Sequence, residues 1–475
     1  IAGTSVSVRA FGQSLTGSFA FEQVSTPGID GDITTTADNG TAVRLVASDV
    51  SFTLSNGTSD IVRLRNGSGM LLVVPATATA PVGLAGSLSG SVEVLGGGVF
   101  SLSGDFSVEI NTIDRAIDES FALAPGSAEL TLELPAGPYL RIAATDVTVT
   151  VAGQSLTGSV AIEQQVLTSG ARIVTVAISD ADLTIGGVVT LEDVEGILVI
   201  EPTGVAGRLQ ATVTLDLSPA VTVLGTVSVA VNNATTAVRR AVRVGSTELV
   251  VDLPAGPYLR VEVTGGSITA FGVSLEGNFV FERSTTATGS TVVRVAVTNG
   301  SVSIGSSVSV SGASGALVLL PADLDSSGAV VAGSGGLAGV LSASVSITLP
   351  GVALGGTFRL AVNTSDGAVN DSITVGGTPV TVDVPAGPYL RVEGTGVTLG
   401  IGGVVLTGNV AFERSTVDTT PGVAGGEEVS TIVLLSGVSL DLGSGAVRVS
   451  DGEGVLVVTP SGVAGRLSVS VTANL

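Results

Sequence analysis

The sequence predicts an all-β protein, a tandem array of antiparallel β-sandwich-like modules stacked into a stiff rod, with a β-solenoid-like continuous fibre as the alternative. Three observations carry that expectation. The heptapeptide Pro-Ala-Gly-Pro-Tyr-Leu-Arg occurs at Pro135–Arg141, Pro254–Arg260 and Pro385–Arg391, spaced by 119 and then 131 residues, and a long period of this kind marks a repeat array. Strand-like runs of four to eight residues, separated by Gly, Asn-Gly or Ser-Gly, recur about every ten residues, the spacing of a sandwich or a solenoid. Glycine supplies 66 of 475 residues and aromatic residues 3%, which favours pleated, narrow-cored β structure over helix.

Taking the residue after each motif arginine as the origin gives repeat units 1–141, 142–260 and 261–391 and an incomplete fourth, 392–475. IAGTSVSVRAFGQSLTGSFAFEQ at Ile1 matches IAATDVTVTVAGQSLTGSVAIEQ at Ile142, so the chain reads as a window on a longer polypeptide. Within each full unit two related halves of about 60 residues are visible: SLTGSFAFEQ, SLTGSVAIEQ and SLEGNFVFER are echoed by SLSGDFSVEIN (101–111), VLGTVSVAVN (223–232) and ALGGTFRLAVN (353–363). The segments 25–40, 321–336 and 415–428 absorb the length differences and read as exposed loops. No long Pro- or Ser-rich linker parts the units, so they are expected to abut.

Charge and composition exclude several functions. The formal net charge is −22, with no His, Cys or Trp and with Arg as the only basic residue. Nucleic acid is excluded as a partner because phosphates demand a basic footprint. Without His or Cys there is no Ser-His-Asp relay, no thiol nucleophile and no imidazole or thiolate metal site. Paired carboxylates for glycoside hydrolysis would lack Trp platforms for the sugar. The chain is therefore expected not to be an enzyme. Its mean hydropathy is positive, but apolar stretches such as MLLVV stop after about five residues, whereas a spanning helix needs roughly 20. The aromatic girdles of an outer-membrane barrel would need many Trp and Tyr, and here there are none and three. No membrane span is expected in this segment.

One hairpin follows in detail from side-chain alternation. A turn at Ala152-Gly153 sets Val149 opposite Leu156 and Val147 opposite Gly158 on one face. An extra residue near Ala143–Thr145, and at Gly265-Gly266 and Gly394–Gly396 in the later units, then places Ile142 opposite Ile162, Val261 opposite Phe281 and Val392 opposite Phe412 on the buried face. The same register pairs Arg141 with Glu163, Arg260 with Glu282 and Arg391 with Glu413 on the opposite face. Tyr139, Tyr258 and Tyr389 stand two residues before each arginine, on its side of the strand. These nine residues are assigned a structural role at the junctions between units, as cross-strand ion pairs beside a phenol.

Metal candidates are acidic loops. Asp323, Asp325, Ser327 and Gly328 resemble the start of a calcium loop, although Ser334 stands where a bidentate Glu is expected. Asp30 and Asp32 form a further carboxylate cluster. Calcium is the one cofactor these residues suggest.

The recurring motifs GxxLTGxFxFE[QR], GxLVxxP and PAGPYLRV, in a background free of Lys and Cys, resemble the giant tandem-repeat β surface proteins of environmental Gram-negative bacteria, which are adhesin-like or fibre-forming. That resemblance implies an extracellular structural repeat protein at the cell surface, a segment of a filament or stalk whose partners are neighbouring repeat units or copies of itself. The alternative it implies is an adhesin whose acidic loops hold calcium, a glycan or a neighbouring cell.

Overall fold

The computed structural model describes residues 1–10, 13–26, 40–55, 60–74, 83–96, 100–122, 129–151, 154–167, 169–185, 189–216, 221–270, 273–285, 291–304, 307–321, 335–349, 352–401, 404–418, 427–442, 447–459 and 462–473. Among them there is no helix, and the strands recur in sets of eight. The first set is β1 (Ala2–Ala10), β2 (Gln13–Thr26), β3 (Gly40–Ser55), β4 (Asp60–Val74), β5 (Gly83–Gly96), β6 (Phe100–Asn111), β7 (Ile117–Ala122) and β8 (Glu129–Leu134). The second is β9 (Tyr139–Val151), β10 (Gln154–Val166), β11 (Arg172–Ile185), β12 (Val189–Glu201), β13 (Gly204–Asp216), β14 (Val221–Asn232), β15 (Val238–Val244) and β16 (Thr247–Leu253). The third is β17 (Tyr258–Ala270), β18 (Val273–Thr285), β19 (Thr291–Ile304), β20 (Val308–Leu320), β21 (Gly336–Leu349), β22 (Val352–Asn363), β23 (Val369–Val375) and β24 (Thr378–Val384). Five more follow, β25 (Tyr389–Ile401), β26 (Val404–Asp418), β27 (Glu427–Leu442), β28 (Val447–Thr459) and β29 (Gly462–Ala473).

Most of these strands are about twice as long as the runs read from the sequence, because glycines taken as breaks lie inside them. Asn66-Gly67 and Asn299-Gly300 look like turns and instead sit within β4 and β19. At Ser5, Asp49, Asn66, Asp146, Asp180, Asp193, Gly265, Asn299, Gly312, Gly396, Gly437 and Asp451 the backbone takes φ between +50° and +61°. These positions fall on the first, third and fourth strand of each set, where the ladders shift register. One extra residue there bends the strand, and Asn, Asp and Gly tolerate the left-handed backbone best. On the second strand a polar side chain receives the displaced amide: Gly265 N donates to Asn278 Oδ1 at 2.7 Å and Gly396 N to Asn409 Oδ1 at 2.8 Å. Because the bulge at Asp193 is left-handed, Asp193→Gly is expected to leave the denaturation midpoint unchanged or raised, and Asp193→Val to cost about 1–2 kcal/mol. Equal midpoints for the two variants would contradict the bulge.

Twenty-three strands belong to one antiparallel sheet, and the other six form the hairpins β7–β8, β15–β16 and β23–β24. Consecutive sheet strands pair as a meander, and the ladder crosses the repeat junctions: β6 pairs with β9 and β22 with β25. The expectation of separate sandwich modules is corrected at this point, since adjoining repeats share a ladder and the second layer of a repeat is a single hairpin. Within the second set β9 to β14 lie in the sheet, whereas β15 and β16 leave it. The chain divides into two compact units, Ile1–Ala211 with Val231–Ala255, and Thr212–Ala230 with Gly256–Leu475.

Each hairpin folds back over one face of its own unit's sheet. β15 and β16 lie over β10, β11 and β12, and β23 and β24 over β18 to β22. Small residues on the sheet make room for branched ones on the hairpin. In the first unit Ala42, Leu72 and Ala85 pack with Ile117, Leu132 and Leu134; in the second, Ala296, Ala316 and Ala338 pack with Ile373, Val375 and Val382. Each buried Leu, Ile or Val contributes about 1.5–3 kcal/mol, so a hairpin carrying three or more of them is firmly docked.

Among the described residues the other face is apolar and uncovered. On β10 it carries Leu156, Gly158, Val160 and Ile162, while Ser155, Thr157, Ser159, Ala161 and Glu163 lie on the face that bears the hairpin. Ile142 and Ile162 are therefore 42% and 43% exposed, and Phe281, Val392 and Phe412 are exposed as well. The face assignment made from sequence is thus inverted: the pairing is as derived, but the apolar rows look outward and the Arg–Glu rows inward. On the outward face leucines lie across glycines of the neighbouring strand, Leu88 over Gly69 and Leu71 over Gly86, and likewise Leu341 over Gly315 and Leu317 over Gly339. A Cβ at these four glycines would meet the leucine methyls at 2.4–2.8 Å. This gives a physical reason for the glycine of the GxLVxxP motif.

Candidate functional site on the covered polar face

The repeated motif is the turn that returns the chain from each hairpin to the sheet, and a buried asparagine closes it. Asn111, Asn232 and Asn363, the last residues of β6, β14 and β22, are essentially inaccessible. Asn232 Nδ2 donates to Thr236 O at 3.0 Å and to Pro254 O at 2.7 Å, and its Oδ1 accepts from Ala234 N at 2.8 Å. Asn111 bridges Arg115 O and Pro135 O, and Asn363 bridges Gly367 O and Pro385 O, in the same way. The amide thus ties the loop entering the hairpin to the first motif proline leaving it. The motif glycine is set by the same closeness: a Cβ at Gly137 would stand 2.2 Å from Asn111 O, and one at Gly387 2.2 Å from Asn363 O. These asparagines were not singled out from sequence, although each ends a quoted echo, SLSGDFSVEIN, VLGTVSVAVN and ALGGTFRLAVN.

Immediately beyond the turn the charged residues meet. Arg141 opposes Glu163, Arg260 opposes Glu282 and Arg391 opposes Glu413, with N···O distances of 3.3, 3.2 and 2.6 Å. Each motif phenol donates to the same glutamate, Tyr139 to Glu163 at 3.4 Å, Tyr258 to Glu282 at 3.3 Å and Tyr389 to Glu413 at 3.5 Å. The arginines also reach the hairpins: Arg141 donates to Arg243 O and Arg260 to Thr374 O. Further ion pairs clamp each hairpin to the sheet, Arg44 with Glu119, Arg240 with Glu201 and Arg294 with Asp371.

The carboxylates named above are each engaged by a guanidinium, and Glu109, opposite Arg141, accepts from Tyr139 at 3.4 Å, so the arrangement fastens a hairpin to a sheet. A cleft of about 560 Å³ beside the hairpin tip is lined by Thr145, Asp146, Ser159, Asp180 and Ser246, and Thr247 donates to Asp180 at its rim. Among the described residues no group of three His, Cys, Asp or Glu is placed to hold a metal. The calcium candidates Asp323, Asp325, Asp30 and Asp32 lie outside the described residues.

No known protein family and no curated protein matches the chain. Among solved structures, 98% of the chain is similar to 72% of the outer membrane transporter YddB from Escherichia coli, at 11% identity and a TM-score of 0.17. It also aligns over 97% of its length with 80% of the siderophore receptor PirA from Pseudomonas aeruginosa, at 12% identity and a TM-score of 0.19. The siderophore receptor PirA from Acinetobacter baumannii aligns over 97% of this chain and 75% of its own, at 10% identity and a TM-score of 0.17. These values carry no argument about mechanism. The proteins matched are nevertheless a membrane transporter and receptors, not filaments or adhesins. The expectation of an extracellular structural filament or adhesin, with copies of itself, a glycan or a cell surface as partner and with no membrane span, is corrected accordingly.

Proposed function

We propose that this protein forms a β wall of the outer-membrane type, with the uncovered apolar face against lipid and the hairpin-covered polar face turned inward. The observation that carries this reading is the division of the strands into an outward row of Leu, Val, Ile, Phe and Gly and an inward row of Ser, Thr, Ala, Arg and Glu. Alternation of this kind is what a membrane β-strand requires, and a span takes about 9–11 residues. On β6 the outward residues from Leu102 to Ile110 are Leu, Gly, Phe, Val and Ile, and on β22 those from Leu354 to Val362 are Leu, Gly, Phe, Leu and Val. At a tilt near 40° such a stretch covers roughly 20–25 Å. On the second strand of each set Gln23, Gln164, Arg283 and Arg414 follow Phe21, Ile162, Phe281 and Phe412 on the outward face. A sheet in lipid has no free edge, so this reading requires a partner strand along each edge of the sheet. The band is built with Phe, Leu and Val, and all three tyrosines lie on the covered face. The role assigned is that of an envelope wall with hairpins on its polar side, serving membrane transport.

The chain has no cysteine, so single cysteines report each face separately. Fluorophores at Ile162→Cys and Phe281→Cys in reconstituted vesicles are expected to be quenched by spin-labelled acyl chains, and one at Ser107→Cys is not. Quenching of the outward labels by aqueous iodide instead, or failure of the protein to float with liposomes, would remove the reading.

A further inference from the structure

We infer that the polar face of β4, β5, β6 and β9 carries a binding site for a short zwitterionic peptide of dipeptide size, held at its carboxylate end by Arg65 and at its ammonium end by Asp105 and Asp146. The site does not rest on the lipid-facing reading, because it lies on the opposite face of the sheet.

Its residues stand on one row of cross-strand partners. Arg65 pairs with Ser91, Ser91 with Asp105 and Asp105 with Thr145. Asp146 follows at the bulge of β9, where φ is +51°. Arg65, Ser91, Asp105 and Asp146 line one cleft of about 250 Å³. A second hollow of about 440 Å³ shares Ser91 and Asp105 with it, so the two together have the size of a small-molecule site.

The charges at this cleft are not used up by one another. On the neighbouring row Arg63 holds Glu93 at 3.2 Å, and within the row Asp105 accepts from Ser91 Oγ. Among the described residues the Arg65 guanidinium and the Asp146 carboxylate have no partner, although both face the same cleft. The motif arginines Arg141, Arg260 and Arg391, by contrast, are each paired with a glutamate.

The fold does not require these charges either. The corresponding ladder of the third repeat runs Ser311, Ser344, Thr357 and Thr395, with Gly396 at the bulge. It keeps the register with Ser311 in the place of Arg65, Thr357 in that of Asp105 and Gly396 in that of Asp146. The first repeat therefore adds one cation and two carboxylates to a scaffold that closes without them.

Spacing and sign select the ligand. Neighbouring strands lie about 4.8 Å apart, so the backbones of Arg65 and Asp105 are about 10 Å apart and Asp146 is one strand further on. A free amino acid carries both charges on one carbon and is too short to serve both ends. A dipeptide sets them a peptide unit apart, and the hydroxyls of Ser91 and Ser103 line the cleft for its amide. One guanidinium against two carboxylates leaves the site net negative, which favours an ammonium group and rejects a dianion such as phosphate.

The probe is alanyl-alanine titrated onto the full chain by calorimetry. Saturable binding at one site is expected, lowered at least tenfold by Arg65→Ser and, separately, by Asp146→Gly. Both variants copy the third repeat, and Gly accepts the left-handed backbone at 146, so thermal melting is expected to match the parent. N-acetylation of the peptide is expected to weaken binding to the parent at least tenfold and to change nothing further in Asp146→Gly; amidation of its carboxylate is expected to do the same with respect to Arg65→Ser. Free alanine and inorganic phosphate are expected to bind at least tenfold more weakly than the dipeptide. Absence of saturable binding, binding indifferent to both substitutions, or phosphate bound as tightly as the dipeptide would overturn the inference.

Discussion

Asn232→Ala is expected to cost the folded chain roughly 3–5 kcal/mol, read as a drop in the denaturation midpoint. The substitution leaves Thr236 O, Pro254 O and Ala234 N without their partner in a closed turn. Each buried polar group so abandoned costs about 1–3 kcal/mol, and relaxation of the loop recovers part of the sum. Asn232→Asp keeps the acceptor and loses both donors, so it is expected to fall nearly as far. The hairpin β15–β16 should become the first element to exchange its amides, because the turn that returns it to the sheet is no longer tied. A loss below about 1 kcal/mol in both variants would show that the asparagine does not close the turn.

Glu282→Ala is expected to cost about 2–4 kcal/mol and to loosen β23–β24. Glu282 holds Arg260 at 3.2 Å and Arg294 at 3.3 Å and accepts from Tyr258, with its side chain 17% exposed. Removing it leaves two guanidinium groups under the hairpin, one of which also holds Asp371. Breaking a fully buried pair costs about 3–5 kcal/mol, and the residual exposure lowers that figure. Glu282→Gln keeps the shape and a carbonyl acceptor, so roughly half the loss is expected to return. If both variants behaved like substitutions at an exposed pair, within about 1 kcal/mol of the parent, the row would be ornamental to the docking. Proteolysis at the β22–β23 loop, slow in the parent and faster in Glu282→Ala, gives a second readout.

The sequence by itself determined the strand class and the local register. Alternation has a period of two whatever lies above or below the sheet, so counting residues from a turn suffices to pair Arg260 with Glu282 and Val261 with Phe281. The extra residue needed to keep that register was legible too, since only a bulge reconciles the two parities; it lies at Thr145–Asp146 and at its counterparts Gly265 and Gly396. Strand length was not legible, because glycine and Asn-Gly break a strand on propensity alone. Here they occupy positions where a leucine from the next strand, or a left-handed bulge, requires them.

Which face is covered was decided only by tertiary structure. Alternation says that Ile162 and Glu163 point to opposite sides and is silent on which side receives a second layer. The ordinary preference for apolar burial then chose wrongly, because the covering element is a hairpin inserted some 75 residues later, between β14 and β17. That hairpin docks on the face bearing Ala161, Ala177 and Glu163. It fits there because small side chains leave room for its valines and because arginines and glutamates can be paired beneath it, whereas the Leu and Phe rows on the other face would leave its backbone no polar partner. The asparagines at the ends of β6, β14 and β22 hold the insertion in place, and their role exists only once the two ends of that insertion are brought together.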